Sequence, residues 1–369
     1  MMKIKNIFRN KVINKKRMVA VLFLLVLVAV MVFLNPDMRN YLFGGGEVKI
    51  SFQSGIEYEV MTYGDDMLLV NNEGIRAVDD RGENAWTVVF SMTSPMTVVK
   101  NEYIMVADVN GTMVNVYEGE KLLFKVKMPN EILTARINED GYVAVATDEL
   151  GYKGVVTVFD NNGKETFKWH SGSGYIGDVA LSGDGILAVS QLMTDRSSVY
   201  TRVMRIDTEK ENDVKCVGEV DGIVLKVRFN GNDELLAVSQ KGMFCYDEKG
   251  AKRFAVDFKG RIPVDCNIEN DDNMVFAFDG GLNNTVLESY SENGKLRGKY
   301  EADSKIRTFD VNGEYILFST MGTARRISPE GKLEGEMTTT VDAKDMKIFS
   351  DRDEFLLMGG SSAEILKIK

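Results

Sequence analysis

Histidine, cysteine and proline are scarce in this sequence of 369 residues, which has one histidine, three cysteines and five prolines. The single histidine, His170, would have to serve any Ser-His-Asp or Cys-His arrangement, and no nucleophile or phosphate-loop motif accompanies it. Cys216, Cys245 and Cys266 are too few for a disulfide framework and include no CxxC pair for zinc. The sequence leaves one disulfide between two of them as an alternative. We therefore expect no catalytic activity, no metal and no cofactor.

Basic residues are unevenly distributed along the chain. Residues 1–34 contain seven Lys or Arg and no acidic residue, so the remaining 335 residues carry 38 basic and 55 acidic side chains, a net charge of −17. An acidic surface repels polyanions and anionic lipid headgroups. Nucleic acid is therefore not expected as a partner.

One long apolar run lies near the N-terminus. The 17 residues Met18–Leu34 are all apolar and would span roughly 25 Å as a helix, close to a ~30 Å hydrocarbon core. The basic residues before the run predict that its N-terminal side stays in the cytoplasm. We therefore predict a cytoplasmic tail at 1–17, a transmembrane helix at 18–34 in the lipid bilayer, and a cell-membrane protein whose remaining chain lies outside the cytoplasm.

The alternative for this run is a cleaved secretory signal. Such signals usually have an apolar core of ~7–15 residues, followed by small residues at the cleavage site. Here the core is longer, and no small residue follows it until Gly44. These features favour an uncleaved anchor, with a linker at 35–46 and a folded domain at 47–369.

A short apolar strand recurs eight times in this domain. The intervals between copies are 36, 39, 44, 49, 39, 41 and 40 residues, which is the spacing of four-stranded propeller blades. After each copy the pattern indicates a second strand, a hairpin turn and two further strands. The copies begin at Met67, Tyr103, Tyr142, Ile186, Leu235, Met274, Tyr315 and Phe355.

A turn of Asp, Asn or Ser with glycine follows the second strand of most units. These residues tolerate the positive φ angles that tight hairpins need. The pattern predicts antiparallel strands joined by short connections. The turns are Asp79–Gly82, Asp160–Gly163, Asp247–Gly250, Ser291–Gly294 and Ser328–Gly331.

The two ends of the domain each look like half of a unit. Glu47–Gly64 matches the third and fourth strands of a unit, and Arg352–Lys369 matches the first and second strands. Pairing the two halves would close a ring and remove exposed sheet edges. We predict an all-β, eight-bladed β-propeller closed by N- and C-terminal half-blades and preceded by one transmembrane helix; seven blades, with one unit misassigned, is the alternative.

The segment Val158–Trp169 resembles a repeat of the quinoprotein-dehydrogenase-like (PQQ-like) propellers, which have aromatic-Asp-x-x-Gly-Lys followed by a tryptophan. Val78–Trp86 is a second match, and Tyr246–Phe254 has phenylalanine in place of the tryptophan. The resemblance implies a propeller fold, but the residues that hold a quinone and calcium in those dehydrogenases have no counterpart here. The overall plan also resembles an uncharacterised bacterial family of single-pass propeller proteins.

Three units have a longer turn between their first and second predicted strands, at 147–154, 191–200 and 279–285. Turns of one type lie on one face of a propeller, and insertions gathered on one face often mark a binding face; longer strands are the alternative explanation. Tyrosine and arginine are favoured at binding hot spots. The candidate partner-binding residues in these turns are Tyr152, Met193, Arg196 and Tyr200.

The linker joins the domain at the start of a predicted third strand, on the face opposite these turns. We therefore expect the longer turns to point away from the membrane. The predicted function is a non-catalytic scaffold or sensing module that binds a protein partner in the cell envelope. The alternative is an extracytoplasmic propeller enzyme, or a binder of a glycan or small ligand, that uses the central channel.

Overall fold

The computed structural model describes residues 48–52, 56–195, 198–210, 213–350 and 353–368. The described residues contain thirty-two β-strands. No helix among them is long and apolar enough to cross a bilayer. The predicted cytoplasmic tail, transmembrane helix at 18–34 and linker at 35–46 lie outside the described residues.

The strands form eight four-stranded antiparallel sheets, which confirms the predicted eight-bladed propeller rather than the seven-bladed alternative. First strands of neighbouring blades contact one another around most of the ring, so the first strands line a central channel. Blade 1 contains β2 (Glu59–Tyr63), β3 (Asp66–Asn71), β4 (Gly74–Val78) and β5 (Asn84–Val89), and blade 2 contains β6 (Pro95–Lys100), β7 (Tyr103–Asp108), β8 (Met113–Glu118) and β9 (Lys121–Lys127). Blade 3 contains β10 (Ile132–Ile137), β11 (Val143–Thr147), β12 (Val155–Phe159) and β13 (Glu165–His170). Blade 4 contains β14 (Tyr175–Leu181), β15 (Ile186–Asp195), β16 (Ser198–Asp207) and β17 (Val214–Asp221).

Blades 5 to 7 follow the same plan, with the first strand innermost and the fourth strand outermost. They contain β18 (Val224–Phe229), β19 (Leu235–Ser239), β20 (Gly242–Tyr246), β21 (Lys252–Asp257); β22 (Pro263–Asn267), β23 (Met274–Gly281), β24 (Asn284–Tyr290), β25 (Leu296–Glu301); and β26 (Thr308–Val311), β27 (Ile316–Thr320), β28 (Thr323–Ile327), β29 (Leu333–Thr338). Blade 8 is assembled from both ends of the domain: β30 (Asp345–Ile348), β31 (Phe355–Met358), β32 (Ser362–Leu366) and, outermost, β1 (Val48–Ser51).

Blade 8 closes the ring, because β1 pairs antiparallel with β32 from Val48 opposite Ile365 to Ser51 opposite Ser362. Closure by the two ends was predicted correctly, but closure by two half-blades was wrong. One strand from the N-terminal end joins three strands from the C-terminal end. The strand at 59–63, which was assigned to the closing blade, is instead the first strand of blade 1.

The reason for this error is a shift of one strand in the assumed repeat. The repeated apolar strand is the second strand of each blade, and both it and the third strand are covered by neighbouring blades on both faces. In blade 3, for example, both strands are fully buried and apolar except for one threonine each, whereas the outermost strand alternates between exposed and partly buried side chains. A repeat has the same period wherever counting begins, so its period does not indicate which strand is innermost.

The hydrophobic core is divided into eight clusters, one between each pair of neighbouring blades. Between blades 3 and 4, for example, Val156 and Val158 of β12 pack with Val179 of β14 and Val189 of β15. Each blade therefore buries an apolar face against both neighbours. This arrangement holds the disc rigid and leaves the turns at its two faces available for contacts.

The five predicted glycine turns join the third and fourth strands of their blades, and their glycines have φ angles between 69° and 83°. In three of these turns the aspartate Oδ1 accepts the backbone N–H groups of the residues two and four positions later, at 2.8–3.0 Å. This local hydrogen bonding explains why Asp79, Asp160 and Asp247 begin these turns.

Candidate functional site

The two faces of the ring carry different connections. The upper face, as we name it, carries the turns between second and third strands and the links between blades. The lower face carries the turns between first and second strands and between third and fourth strands. The three longer turns all lie on the upper face, as the sequence predicts. Val48 begins β1 on the lower face, because it pairs near the end of β32.

The three longer turns have different structures. In blade 3, residues 148–154 form an irregular loop. In blade 4 the insertion instead lengthens both strands, so that β15 and β16 have ten residues each. In blade 6, β23 and β24 are also long and meet at Leu282 and Asn283, whose φ angles are 49° and 68°. The inserted-loop prediction is therefore correct for blade 3, and the longer-strand alternative is correct for blades 4 and 6.

The predicted binding residues differ in their accessibility. Tyr152 lies in the blade 3 loop with 45% of its surface exposed. Tyr200 is partly buried near the tip of the blade 4 hairpin, with the Arg202 guanidinium 5.9 Å from its ring centroid. Met193 is only 9% exposed, which leaves little of its side chain for a partner. Arg196 lies outside the described residues.

An aromatic group surrounds Tyr152 at the junction of blades 3 and 4. The Tyr152 and His170 rings are 4.5 Å apart between centroids. His170 Nε2 lies 3.7 Å from Glu149. Nearby, Lys153 donates to the Tyr175 hydroxyl at 3.0 Å. His170, the only histidine of the sequence, is therefore the last residue of β13 and packs against the blade 3 loop.

Exposed apolar side chains are concentrated on the upper face. Of the seventeen large hydrophobic residues that are exposed in the described chain, twelve lie at upper-face turns or at the strand ends beside them. The other five lie at lower-face turns or at the strand ends beside those. The twelve are Val89, Leu133, Leu150, Tyr152, Tyr175, Val199, Ile223, Leu225, Ile262, Val264, Leu282 and Met321.

Four of these residues line half of the channel's upper mouth. The first strands of blades 3, 5 and 6 each have a register shift that leaves their second residue outside the ladder, at Leu133, Leu225 and Val264. In blade 4 the skipped residue is Gly177, and the exposed Tyr175 is paired with Leu192. We use the name apolar collar for Leu133, Tyr175, Leu225 and Val264, which are 40% to 64% exposed.

Sequence analysis missed the collar because a β-bulge depends on pairing with a second strand. A signal was nevertheless present. Two adjacent apolar residues, as in Ile132-Leu133 and Val224-Leu225, interrupt the alternation of side chains that a regular strand requires.

Three carboxylates on first strands connect neighbouring blades around the channel. Each one accepts the backbone N–H of the next blade's first strand, a role that the sequence did not predict. The pairs are Glu59 with Thr97 at 3.1 Å, Asp178 with Val227 at 3.0 Å, and Asp310 with Ile348 at 2.8 Å.

Asp178 also forms an ion pair with Arg136 of the preceding blade, at 2.9 Å. The Asp178 side chain is 4% exposed. Burial raises the pKa of Asp178, although Arg136 and the backbone N–H of Val227 act in the opposite direction. This carboxylate therefore ties blades 3, 4 and 5 together.

An ion pair crosses the channel at the lower face. Lys100 ends β6 in blade 2 and Glu269 follows β22 in blade 6, so the two residues lie on opposite sides of the ring. Lys100 Nζ is 3.0 Å from Glu269 Oε2. Partial burial acts to raise the pKa of Glu269, but Lys100 and Arg228 outweigh it and lower the pKa. The pair narrows the lower end of the channel.

Within the described ranges, no group of three or more His, Cys, Asp or Glu side chains could hold a metal ion. Cys216, Cys245 and Cys266 are unbonded and lie in three different blades. Burial and the nearby Glu234 raise the pKa of the Cys245 thiol to about 12.

The fold and its channel define this protein as an eight-bladed β-propeller. Residues 41–368 match the model of a family described as "Family of unknown function (DUF5711)", and the chain therefore belongs to that family. A search of curated proteins finds no match.

Solved structures show the same fold at low sequence identity. BamB from Moraxella catarrhalis is 12% identical, with a TM-score of 0.56 over 86% of this chain and 97% of that chain. The C-terminal WD40 domain of Sif2 is 12% identical, with a TM-score of 0.61 over 88% and 100%. Apo AztD from Citrobacter koseri is 12% identical, with a TM-score of 0.53 over 77% and 86%. These similarities concern the fold alone.

The resemblance to PQQ-like propellers stays a prediction. Trp86 and Phe167 occupy equivalent places in the outermost strands β5 and β13, and Trp169 lies two residues further along β13. All three pack against the core between blades. Phe254, in the third match, lies in the corresponding strand β21 and packs in the same way. The repeated aromatic residue therefore has a structural role in each of these blades.

Proposed function

We propose that this protein is a membrane-anchored propeller outside the cytoplasm that binds a partner protein of the cell envelope through its upper face, without catalytic chemistry of its own. The observation that carries this proposal is the concentration of exposed apolar side chains on that face. Apolar side chains that are exposed on several neighbouring blades are typical of a protein interaction surface.

The first described strand, β1, begins on the lower face of the propeller, because Val48 pairs with Ile365 near the end of β32. The upper face carries no chain terminus of the described domain, which suits the proposal that a partner binds there.

The proposed absence of catalysis is supported by how three carboxylates of the first strands are used. Glu59, Asp178 and Asp310 accept hydrogen bonds from backbone N–H groups of the next blade. A general acid or base needs a carboxylate that is free to reach a substrate. These three carboxylates instead hold neighbouring blades together.

Photo-crosslinking should distinguish the two faces. We expect p-benzoyl-phenylalanine at Leu150 or Leu282, both fully exposed on the upper face, to form a protein adduct in intact cells. The same probe at Leu122 or Leu333, which are exposed on the lower face, is the matched control. We expect its yield of protein adduct to be at least about threefold lower. Adducts are measured by immunoblotting of the full-length protein. Equal or greater yields at the lower positions would contradict the proposal.

Cysteine labelling tests the location outside the cytoplasm. Cys216 is exposed, whereas Cys245 is buried with its pKa raised to about 12. We expect a bulky, impermeant polyethylene-glycol maleimide to label Cys216 in intact cells, and Cys245 only after denaturation. A gel shift measures the labelling, with Cys216→Ser as the control. Labelling that requires permeabilised cells would place the propeller in the cytoplasm.

A further inference from the structure

The closing blade is joined to the ring beside the channel as well as at its outer edge. Its first strand, β30, lies between β26 of blade 7 and β2 of blade 1 and contacts both. Charged side chains of these three strands interact there. We use the name inner seam for Glu59 of β2, Asp310 of β26, and Asp345 and Lys347 of β30. The inner seam is the channel-side counterpart of the ladder between β1 and β32.

The inner seam has more negative than positive charge. Lys347 Nζ lies 3.5 Å from Asp345 Oδ1, and its charge also acts on Asp310 and Glu59 of the two neighbouring blades. Lys347 and Asp345 are in turn the charged groups with the largest effects on Glu59 and on Asp310. Three carboxylates therefore share one ammonium group, which gives the fully ionised cluster a net charge of −2.

Two of these carboxylates also hold neighbouring blades together. Asp310 accepts the Ile348 N–H of blade 8 at 2.8 Å and the Asn267 Nδ2–H of blade 6 at 2.8 Å. Glu59 accepts the Thr97 N–H of blade 2 at 3.1 Å. A change of charge in the inner seam therefore acts directly on hydrogen bonds between blades.

The junction at Asp178 has a different balance of charge. There Arg136 lies 2.9 Å from the carboxylate and pairs with it directly. In the inner seam, by contrast, one lysine is shared among three carboxylates. Carboxylates that share a site are not all ionised without cost, so such a cluster tends to keep a proton. Glu59 is accessible from the channel, so protons can reach the cluster from solvent.

The pKa shifts of the two bridging carboxylates have the same sign. Burial raises the pKa of Glu59, although the hydrogen bonds from Thr97 and the charge of Lys347 oppose it. Burial also raises the pKa of Asp310, against Lys347 and the N–H of Ile348. A carboxyl whose folded pKa is raised contributes stability that is fully present below its unfolded pKa and is lost as the pH rises through the folded value. The inner seam should therefore be most stable when it is protonated.

We propose that the inner seam is a pH-sensitive lock of the ring, which holds β30 firmly when the cluster binds a proton and loosens β30 when all three carboxylates are ionised. The ladder between β1 and β32 would still hold the outer side of blade 8, so the change concerns the side that borders the channel. This inference goes beyond the proposed function, because it concerns closure of the ring and not the partner at the upper face.

Hydrogen exchange of the full-length protein, followed by mass spectrometry, tests the lock. The measured quantity is the protection of backbone N–H groups at 345–349, corrected for the intrinsic pH dependence of exchange. We expect this protection to fall at least about threefold between about pH 5 and about pH 8. The second strand of blade 5, β19, has no charged residue and serves as the reference, with a change of less than about twofold. Protection at 345–349 that is constant or rises over this range would overturn the proposal.

Two charge-neutral variants assign the effect to the cluster. Glu59→Gln and Asp345→Asn each remove one negative charge and keep an oxygen that can accept the N–H of Thr97 or of Met346. Each variant should raise the protection at about pH 8 and reduce its fall to less than about twofold. Glu165→Gln is the matched control, because it removes a carboxylate that is exposed on β13 in blade 3 and should retain the full fall.

The outcomes remain decisive if a variant does not fold. Circular dichroism shows which variants are folded, and either one alone tests the role of the cluster. A folded Glu59→Gln or Asp345→Asn that keeps the full threefold fall would overturn the inner seam as its cause. If neither variant folds, the pH profile of the natural protein at 345–349, compared with β19, still decides whether the lock exists.

Discussion

Replacement of Ile50 by aspartate is expected to destabilise the propeller by about 4 kcal/mol or more, enough to open the ring. Ile50 is the buried residue of the short strand β1 and is 4% exposed. It packs with Phe349, Leu356 and Ile365 between blades 8 and 1. An aspartate there would lose this apolar contact and place a charge among hydrophobic side chains. The pairing of β1 with β32 is the β-ladder that joins the two ends of the domain.

Urea unfolding followed by circular dichroism measures this effect. Ser51→Asp is the matched control, because Ser51 belongs to the same strand but its side chain is exposed. The control should change the free energy of unfolding by less than about 0.5 kcal/mol. A similar small change for Ile50→Asp would show that β1 is not needed to hold the ring closed.

The second large effect is expected from Asp178→Ala, which should lower the free energy of unfolding by about 3 kcal/mol. The substitution leaves the Arg136 guanidinium without its ion-pair partner and the Val227 N–H without its acceptor. Asp178→Asn keeps an acceptor oxygen of the same size and should have a smaller effect. Equal losses in urea unfolding for both variants would contradict a role for the hydrogen bond to Val227.

The stability of these variants should also depend on pH in a defined direction. Burial raises the pKa of Asp178 in the folded protein. Its contribution to stability is then fully present below the unfolded pKa of ~3.9 and decreases as the pH rises through the folded value. The stability advantage of the natural protein over Asp178→Asn should therefore shrink as the pH rises above about 4. An advantage that grows over this range would show that Arg136 outweighs burial.

Much of the fold could be predicted because its signals are local. The turn beginning at Asp160 encodes its own hydrogen bonds to residues two and four positions later, and Gly163 provides the positive φ angle. The apolar second strands recur at the period of one blade. Eight blades, the hairpin turns and the longer upper-face turns could all be predicted from these patterns.

The candidate site was predicted less completely. Tyr152 is accessible as expected, but Met193 is buried, because the insertion in blade 4 lengthens two paired strands and turns this side chain inward. Leu225 and Val264 were not singled out, since their exposure follows from bulges. A bulge depends on how two strands pair, and the repeat period does not contain that information.

The sequence by itself determined the number of blades, the type of their turns and the use of both chain ends to close the ring, because each of these depends on residues close together or on a regular period. Only the tertiary structure decided which strand is innermost, where the apolar collar lies and which charges meet. Lys100 and Glu269 are 169 positions apart in the sequence but 3.0 Å apart across the channel. Such contacts depend on how eight separate blades close around one axis, which no local pattern specifies.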